Sequence, residues 1–307
     1  MTTRRSLLTN MGVLGLLAGG AWLVRDTLLW PAPRPRFDAP NGRWLPFSQS
    51  DQPLITVLAG LGGSTVHALI DSGAQYTSVD AATVERLGLG QGLSIPMLAL
   101  GVGGAGQMAK GVGLEIELGG VSIPNIRVAA LDLSAVSAAL GFDVPLIIGF
   151  DVLSSLRAEI DFIGRRLRFS DAKAGPIPAG GVEAPVRRSG RALVAQVTLQ
   201  GSPLEVLVDT GATGLLGISA EVAAKTGLSG QPGQEARSVV LGGVAESQVV
   251  TAQTFEFAGQ AFHDVDVHII EMPKVPGFPS GLMGIDALRG HRVLIDAGAG
   301  AMRLYPV

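Results

Sequence analysis

The chain has 307 residues, a formal net charge of −3 and no cysteine. That length holds one large or two medium domains, and the charge excludes strong attraction to nucleic acid or to an anionic membrane surface. Without cysteine there are no disulfides, no thiol nucleophile and no thiolate metal site, and the four histidines (His67, His263, His268, His291) show no HExxH zinc spacing.

Apolar residues make up 47% and charged residues 16%, with the apolar residues spread in short runs as in a buried core. The 43 glycines and 18 prolines leave room for many turns and only short helices. At the start, Thr3-Arg4-Arg5-Ser6 precedes an apolar stretch from Met11 to Val24, with small residues at Ala18–Ala21. This predicts an export signal over residues 1–30, with adjacent arginines similar to a twin-arginine signal. The alternative is an uncleaved anchor in the inner membrane, although the stretch falls short of the roughly 20 residues of a bilayer span. Either way the protein is expected outside the cytoplasm, periplasmic or extracellular. Five prolines between Pro31 and Pro46 predict an extended tether over residues 31–48.

Two hairpin signatures follow, one in each half. Leu54–Leu58 and Val66–Ile70 lead to Asp71; Leu193–Leu199 and Leu204–Val208 lead to Asp209. The phrases are Ala68-Leu-Ile-Asp-Ser-Gly-Ala74 and Val206-Leu-Val-Asp-Thr-Gly-Ala212. After each, a short helix is capped by Asp80 or Ser219 and stopped by Gly88 or Gly227. Gly-rich loops come next, near 101–108 and 241–247, followed by strand pairs Val112–Leu118 with Ile126–Ala130 and Thr251–Phe257 with Val265–Ile270. Then come Ile147-Ile-Gly-Phe-Asp151 and Leu282-Met-Gly-Ile-Asp286, and closing strands around Asp161 and Asp296. The offsets between halves are 209 − 71 = 138, 284 − 149 = 135 and 296 − 161 = 135. Such constancy predicts a duplicated all-β lobe, at 49–172 and 183–307, parted by the Gly- and Pro-rich stretch Asp171–Pro185.

An Asp that ends a buried strand is costly unless it is hydrogen-bonded or functional. Two such carboxylates meeting across a pseudo-two-fold axis share one proton, so one accepts a proton from water while the other donates to a carbonyl oxygen. No metal or cofactor is needed for that chemistry. Asp151 and Asp286 are expected as helix N-caps, and Asp161 and Asp296 as turn carboxylates.

These ordered pairs resemble the retropepsin-like aspartic proteases, in the form with both lobes on one chain. The resemblance covers roughly residues 50–307. It implies two pepsin-like closed β-lobes, Asp71 and Asp209 as the catalytic dyad, and Ser72, Gly73, Thr210 and Gly211 bracing the two loops. It also implies flaps at the Gly-rich loops, with Gly103, Gly104, Gly242 and Gly243 over an extended peptide or protein substrate, in a monomer that is a pseudo-dimer. The loop after Asp209 departs from the family pattern, with one extra residue and no hydroxyl where the first loop has Thr77. Ala74 and Ala212 bring no side-chain donor to the carboxylates, which predicts activity at mildly acidic to neutral pH.

Gly101-x-Gly103-x-x-Gly106 matches a dinucleotide fingerprint literally, but a strand pattern follows it where a helix is required. A non-catalytic exported peptide-binding module is the alternative reading of the whole chain. It has no need of a carboxylate pair.

Overall fold

The computed structural model of the chain describes residues 30–49, 53–90, 95–100, 106–173, 175, 177–240, 243–272 and 278–306. Residues 1–29 of the expected export signal and the flap glycines Gly103, Gly104 and Gly242 lie outside the described residues, whereas Trp30 at its end is described.

Two short strands, β1 (Arg36–Phe37) and β2 (Leu45–Pro46), precede the first lobe. The lobe then runs β3 (Thr56–Leu61), β4 (Ser64–Ile70), β5 (Ser78–Asp80), β6 (Ile95–Leu100), β7 (Gly106–Leu118), β8 (Val121–Leu131) and β9 (Leu146–Ile148). β10 (Arg157–Asp161) and β11 (Arg166–Ser170) follow, then β12 (Val182–Glu183) and β13 (Val186–Arg188). The second lobe repeats the series as β14 (Leu193–Leu199), β15 (Ser202–Val208), β16 (Leu216–Ile218), β17 (Gln234–Val240), β18 (Gly243–Phe257), β19 (Gln260–Ile269) and β20 (Gly281–Met283). β21 (His291–Asp296) and β22 (Ala301–Pro306) end it. The helices are short: α1 (Ala81–Arg86), α2 (Ser134–Leu140), α3 (Phe150–Leu153), α4 (Ala220–Lys225) and a 3-10 turn at Ile285–Ala287.

Each lobe closes on itself. In the first, β8-β5-β9-β4-β3-β7 forms a ring through the β7–β8 pairing; in the second, β14-β15-β20-β16-β19-β18 closes through β14–β18. Closure leaves no unpaired edge within the six-stranded ring. Alternate residues fill the interior: Val57, Leu61, Ile70, Ile116 and Ile148 in one lobe, Val197, Leu199, Val208, Phe255 and Met283 in the other, all buried. This is the two-lobe all-β architecture that the resemblance implies.

A third sheet joins the lobes, in the order β12-β22-β21-β10-β11-β2. β10 and β21 pair antiparallel, with Ala158 opposite Ile295, Glu159 opposite Leu294 and Ile160 opposite Val293. Because 294 − 159 = 135, the repeat offset, the pseudo-two-fold axis passes through the Glu159/Leu294 pair. Across this seam Arg157 meets Asp296 at 3.3 Å, both buried, and also donates to the carbonyls of Gly175 and Ala172. Asp161 accepts from Gly164 N at 2.7 Å and Asp296 from Ala299 N at 3.0 Å, so both are the turn carboxylates expected.

The caps also follow the sequence, with Asp80 accepting from Thr83 N and Ser219 from Val222 N. The Pro-rich segment is extended, but it is docked and not a free tether. β1 pairs with β8, β2 pairs with β11, and the Trp44 ring packs against the guanidinium groups of Arg166 and Arg168 at 4.5 and 4.7 Å. Helix α2 is an addition that the sequence pattern did not mark.

Removing one partner of a buried ion pair leaves the other charge unmet. Arg157→Met is therefore expected to destabilise the chain by about 3 kcal/mol, read by urea denaturation, and to loosen the connection at residues 172–175.

Candidate active site

Each Asp turn is held from below by a parallel strand. β4 lies beside β9 with Ile70 opposite Ile148, and β15 lies beside β20 with Val208 opposite Met283. Asp71 N donates to Ile148 O at 3.0 Å and Asp209 N to Met283 O at 2.9 Å, so the two residues leave their strands in the same way. Glycine is required just after β9 and β20. A Cβ at Gly149 would sit 2.5 Å from the Tyr76 carbonyl carbon, and one at Gly284 would sit 2.5 Å from Gly214 O.

The two turns then lock together. Ser72 Oγ donates to Val208 O at 2.7 Å, and Thr210 Oγ1 donates to Ile70 O at 2.8 Å. Each hydroxyl also accepts the other loop's amide: Ser72 N to Thr210 Oγ1 at 2.9 Å and Thr210 N to Ser72 Oγ at 3.0 Å. Both hydroxyl residues are buried at 1% exposure. In this arrangement Asp71 and Asp209 share a hydrogen bond. Each glycine lies against the other lobe's carboxylate. A Cβ at Gly73 would be 2.5 Å from the Asp209 carboxyl carbon, and one at Gly211 would be 2.4 Å from that of Asp71.

The two carboxyls differ. Asp71 Oδ1 accepts from Gly73 N at 2.8 Å and Ala74 N at 2.9 Å, while Asp209 Oδ1 accepts from Gly211 N at 2.9 Å and its carboxyl is also supported by the Ala212 amide. Burial raises both above the ordinary carboxylate range. Asp209 goes well above it, because the Asp71 charge adds to the burial.

The loops are braced differently. Thr77 Oγ1 donates to Asp151 Oδ1 at 2.7 Å and accepts from Gly149 N at 3.0 Å, while Thr77 N also donates to Asp151 Oδ1. In the second lobe Ser78 corresponds to Gly217, because each faces the same position of β9 or β20. The offset there is 217 − 78 = 139, one more than at the Asp residues, so one residue is inserted and Leu216 stands where Thr77 does. Backbone replaces the missing hydroxyl: Gly284 N donates to Leu215 O at 3.1 Å and Asp286 N to Gly214 O at 3.2 Å.

This corrects the expected N-cap role of Asp151 and Asp286. Gly149 and Gly284 occupy the cap positions without side-chain bonds. Asp151 is a buried brace for the Asp71 loop, its carboxyl raised by burial, and Asp286 is exposed beside Arg289 at 3.0 Å. Two contacts between lobes escaped the motif pattern. Arg191 lies 4.3 Å above the Tyr76 ring, and Arg188 lies 5.6 Å above Phe150. Neither is signalled by local spacing, since each arises from packing between distant segments.

Two hairpins stand at the Gly-rich stretches that the resemblance implies as flaps. β6 and β7 pair from Leu100/Gly106 downward, and β17 and β18 from Val240/Gly243, which puts Gly243 at the tip of the second. Among the described residues no group of three or more metal-ligating side chains converges, and no helix is long and apolar enough to cross a membrane. His67, His268 and His291 lie within hydrogen-bond reach of Ser48, Ser247 and Gln260.

The sequence profile of the aspartyl protease family matches residues 57–152 and 195–287, one span in each lobe and more than half of the chain. The chain belongs to this family. Among relatives, DNA damage-inducible protein 1 from two strains of Cryptococcus neoformans var. neoformans serotype D is 29% identical over 151 residues. That alignment covers 49% of this chain and 33% of each relative, so the chain spans about a third of the length of the curated relatives it matches. A retropepsin-like aspartic protease from Rickettsia conorii aligns with a TM-score of 0.31 at 18% identity, covering 41% of this chain and 90% of that one.

Two outcomes follow from the locked turns. Thr210→Val strands the buried Ser72 amide and Ile70 carbonyl, and is expected to cost about 3 kcal/mol in chemical denaturation. Asp209→Asn should instead stabilise the fold at neutral pH. A carboxyl whose folded pKa is raised supports folding most in acid and loses that contribution as pH rises through the folded value. The gain in Tm from Asn should thus be absent in acid and grow toward neutrality, as thermal melts across pH would record.

Proposed function

We propose that the protein is an aspartic endopeptidase in which Asp71 and Asp209 together activate water against a peptide carbonyl. The observation that carries this reading is the contact of two half-buried carboxyls, both raised by burial, across two turns locked by four hydrogen bonds. An ionised Asp71 takes a proton from water as the water oxygen bonds to the carbonyl carbon. The protonated Asp209 gives its proton to the carbonyl oxygen, producing a neutral diol. Collapse of the diol returns a proton to Asp209 and delivers the Asp71 proton to the leaving nitrogen as the C–N bond breaks. Atoms and charge balance without a cofactor or a covalent intermediate.

An extended peptide suits the cleft, because a strand-like substrate can pair with the backbone of the two flap hairpins and present alternate side chains to pockets. The protein acts as a monomer, since both halves of the site come from one chain. Arg4-Arg5 and the apolar stretch from Met11 to Val24 support export, by signal or by anchor, as the setting of the activity.

Asp71→Asn and Asp209→Asn are each expected to lower cleavage of an unfolded protein substrate by about a thousandfold or more. Undiminished cleavage by either variant would refute the shared-proton mechanism. A statine-type mimic of the diol should inhibit the parent protein. The pH–rate profile should be bell-shaped, because the pair is active with one proton. Its alkaline limb should lie above the ordinary carboxylate range, since the Asp209 carboxyl is raised. A profile confined to strong acid contradicts this.

A further inference from the structure

Trp30 is only 6% exposed, although Pro31, Ala32 and Arg34 beside it are exposed. It is thus one anchored side chain on a solvent-facing stretch. The indole packs edge-on against Tyr76, with ring centres 4.9 Å apart and planes at 71°. Tyr76 belongs to the Asp71 loop, and Arg191 of the other lobe covers its ring. The opposite wall is Gly111 of β7, in the flap hairpin, where an added Cβ would come within 2.9 Å of Trp30 Cζ3.

This recess belongs to one lobe only. Gly111 pairs with Ala129, which pairs with Ser78; Val249 pairs with His268, which pairs with Gly217. Val249 therefore stands where Gly111 does, and Leu215 stands where Tyr76 does. A second, independent observation points to exchange. Trp30 Nε1 is buried and has no acceptor among the described residues. A buried N–H without an acceptor weakens docking, and leaving the recess restores its bond to water.

We propose that the recess is a side-chain pocket for an aromatic residue of a bound peptide, and that Trp30 is its resident occupant in the free protein. This rests on the peptidase reading of Asp71 and Asp209. The pocket lies where the Asp71 loop meets the flap hairpin, so a strand bound between them can place a side chain in it. The glycine floor gives room for a ring, and the Tyr76 edge offers an aromatic partner. Only the first-lobe end of the cleft has this preference, so substrates are read in one direction.

The test uses the full chain carrying Asp71→Asn, with peptides that hold Phe or Ala at each outer position in turn. Binding of the preferred Phe peptide should shift tryptophan emission to longer wavelength, and the shift should vanish when Trp30→Phe is added. In the active chain, Trp30→Ala frees the pocket, so KM for the Phe peptide should fall by about fivefold or more with kcat unchanged. The Ala peptide should not respond. Gly111→Leu fills the recess and should abolish the Phe preference, which keeps the test valid if Trp30→Ala fails to fold. Peptide binding seen by calorimetry with no emission shift, or equal Phe and Ala KM ratios with and without Trp30, overturns the proposal while leaving the peptidase reading intact. Neither binding nor cleavage of any peptide overturns both.

Discussion

Everything in this molecule is arranged around a repulsion. Two carboxyls placed in contact inside protein cannot both carry charge at low cost, so something must hold them together. Here the hold is the exchange of bonds between Ser72 and Thr210, each hydroxyl donating to a carbonyl of the other lobe and accepting an amide from it. That exchange needs both hydroxyls buried, both strands ending at the same height, and both following residues lacking a side chain. The parallel pairings of β4 with β9 and β15 with β20 set the height. Gly73 and Gly211 leave the space the opposite carboxyls occupy. The closed barrels keep those strands rigid enough for the fit to hold.

Within this near-symmetric frame the two halves have separated in role. Asp71 and Asp209 each draw support from the two amides that follow, but the loops beyond them are held in different ways. The Asp71 loop is fastened by a buried side-chain network, Thr77 with Asp151, and the Asp209 loop by backbone alone. The side-chain network introduces a buried carboxyl that burial pushes up. The backbone solution avoids that carboxyl and needs the inserted residue, with Gly214 at positive φ, to bring carbonyls into range.

Much of this was legible in the sequence because duplication writes the same local rules twice. The paired Asp-Ser/Thr-Gly-Ala phrases, the hairpins before them, the capped helices and the apolar-apolar-Gly segments are all short-range patterns, and the structure has them at the expected places. The extra residue after Asp209 was also legible, and strand register puts it between Asp209 and Gly217. What the sequence hid is long-range. Asp151 looked like a cap because it follows a glycine at a helix start, yet its carboxyl turns to a threonine 74 residues away in the chain. The Pro-rich stretch looked like a tether because prolines disfavour central strands. Short edge strands tolerate them, and Trp44 found two arginines to pack against. Trp30, Arg188 and Arg191 carry no motif, since their meaning lies in which lobe or loop they reach.

The seam at Glu159 and Leu294 has a consequence for how the site is assembled. The two inner strands of the joining sheet, one from each half, present the same kind of edge to one another, as two copies of a single chain would. Two separate chains would have to find each other, and dilution would pull their carboxyls apart. Here the connection through residues 171–181 turns that encounter into an event within one molecule, governed by the reach of the linker and not by protein concentration. The covalent join also frees each half from mirroring the other. A substitution in one half is not copied into its partner, which is why Thr77 and Leu216, or Gly111 and Val249, can stand at equivalent places in one molecule.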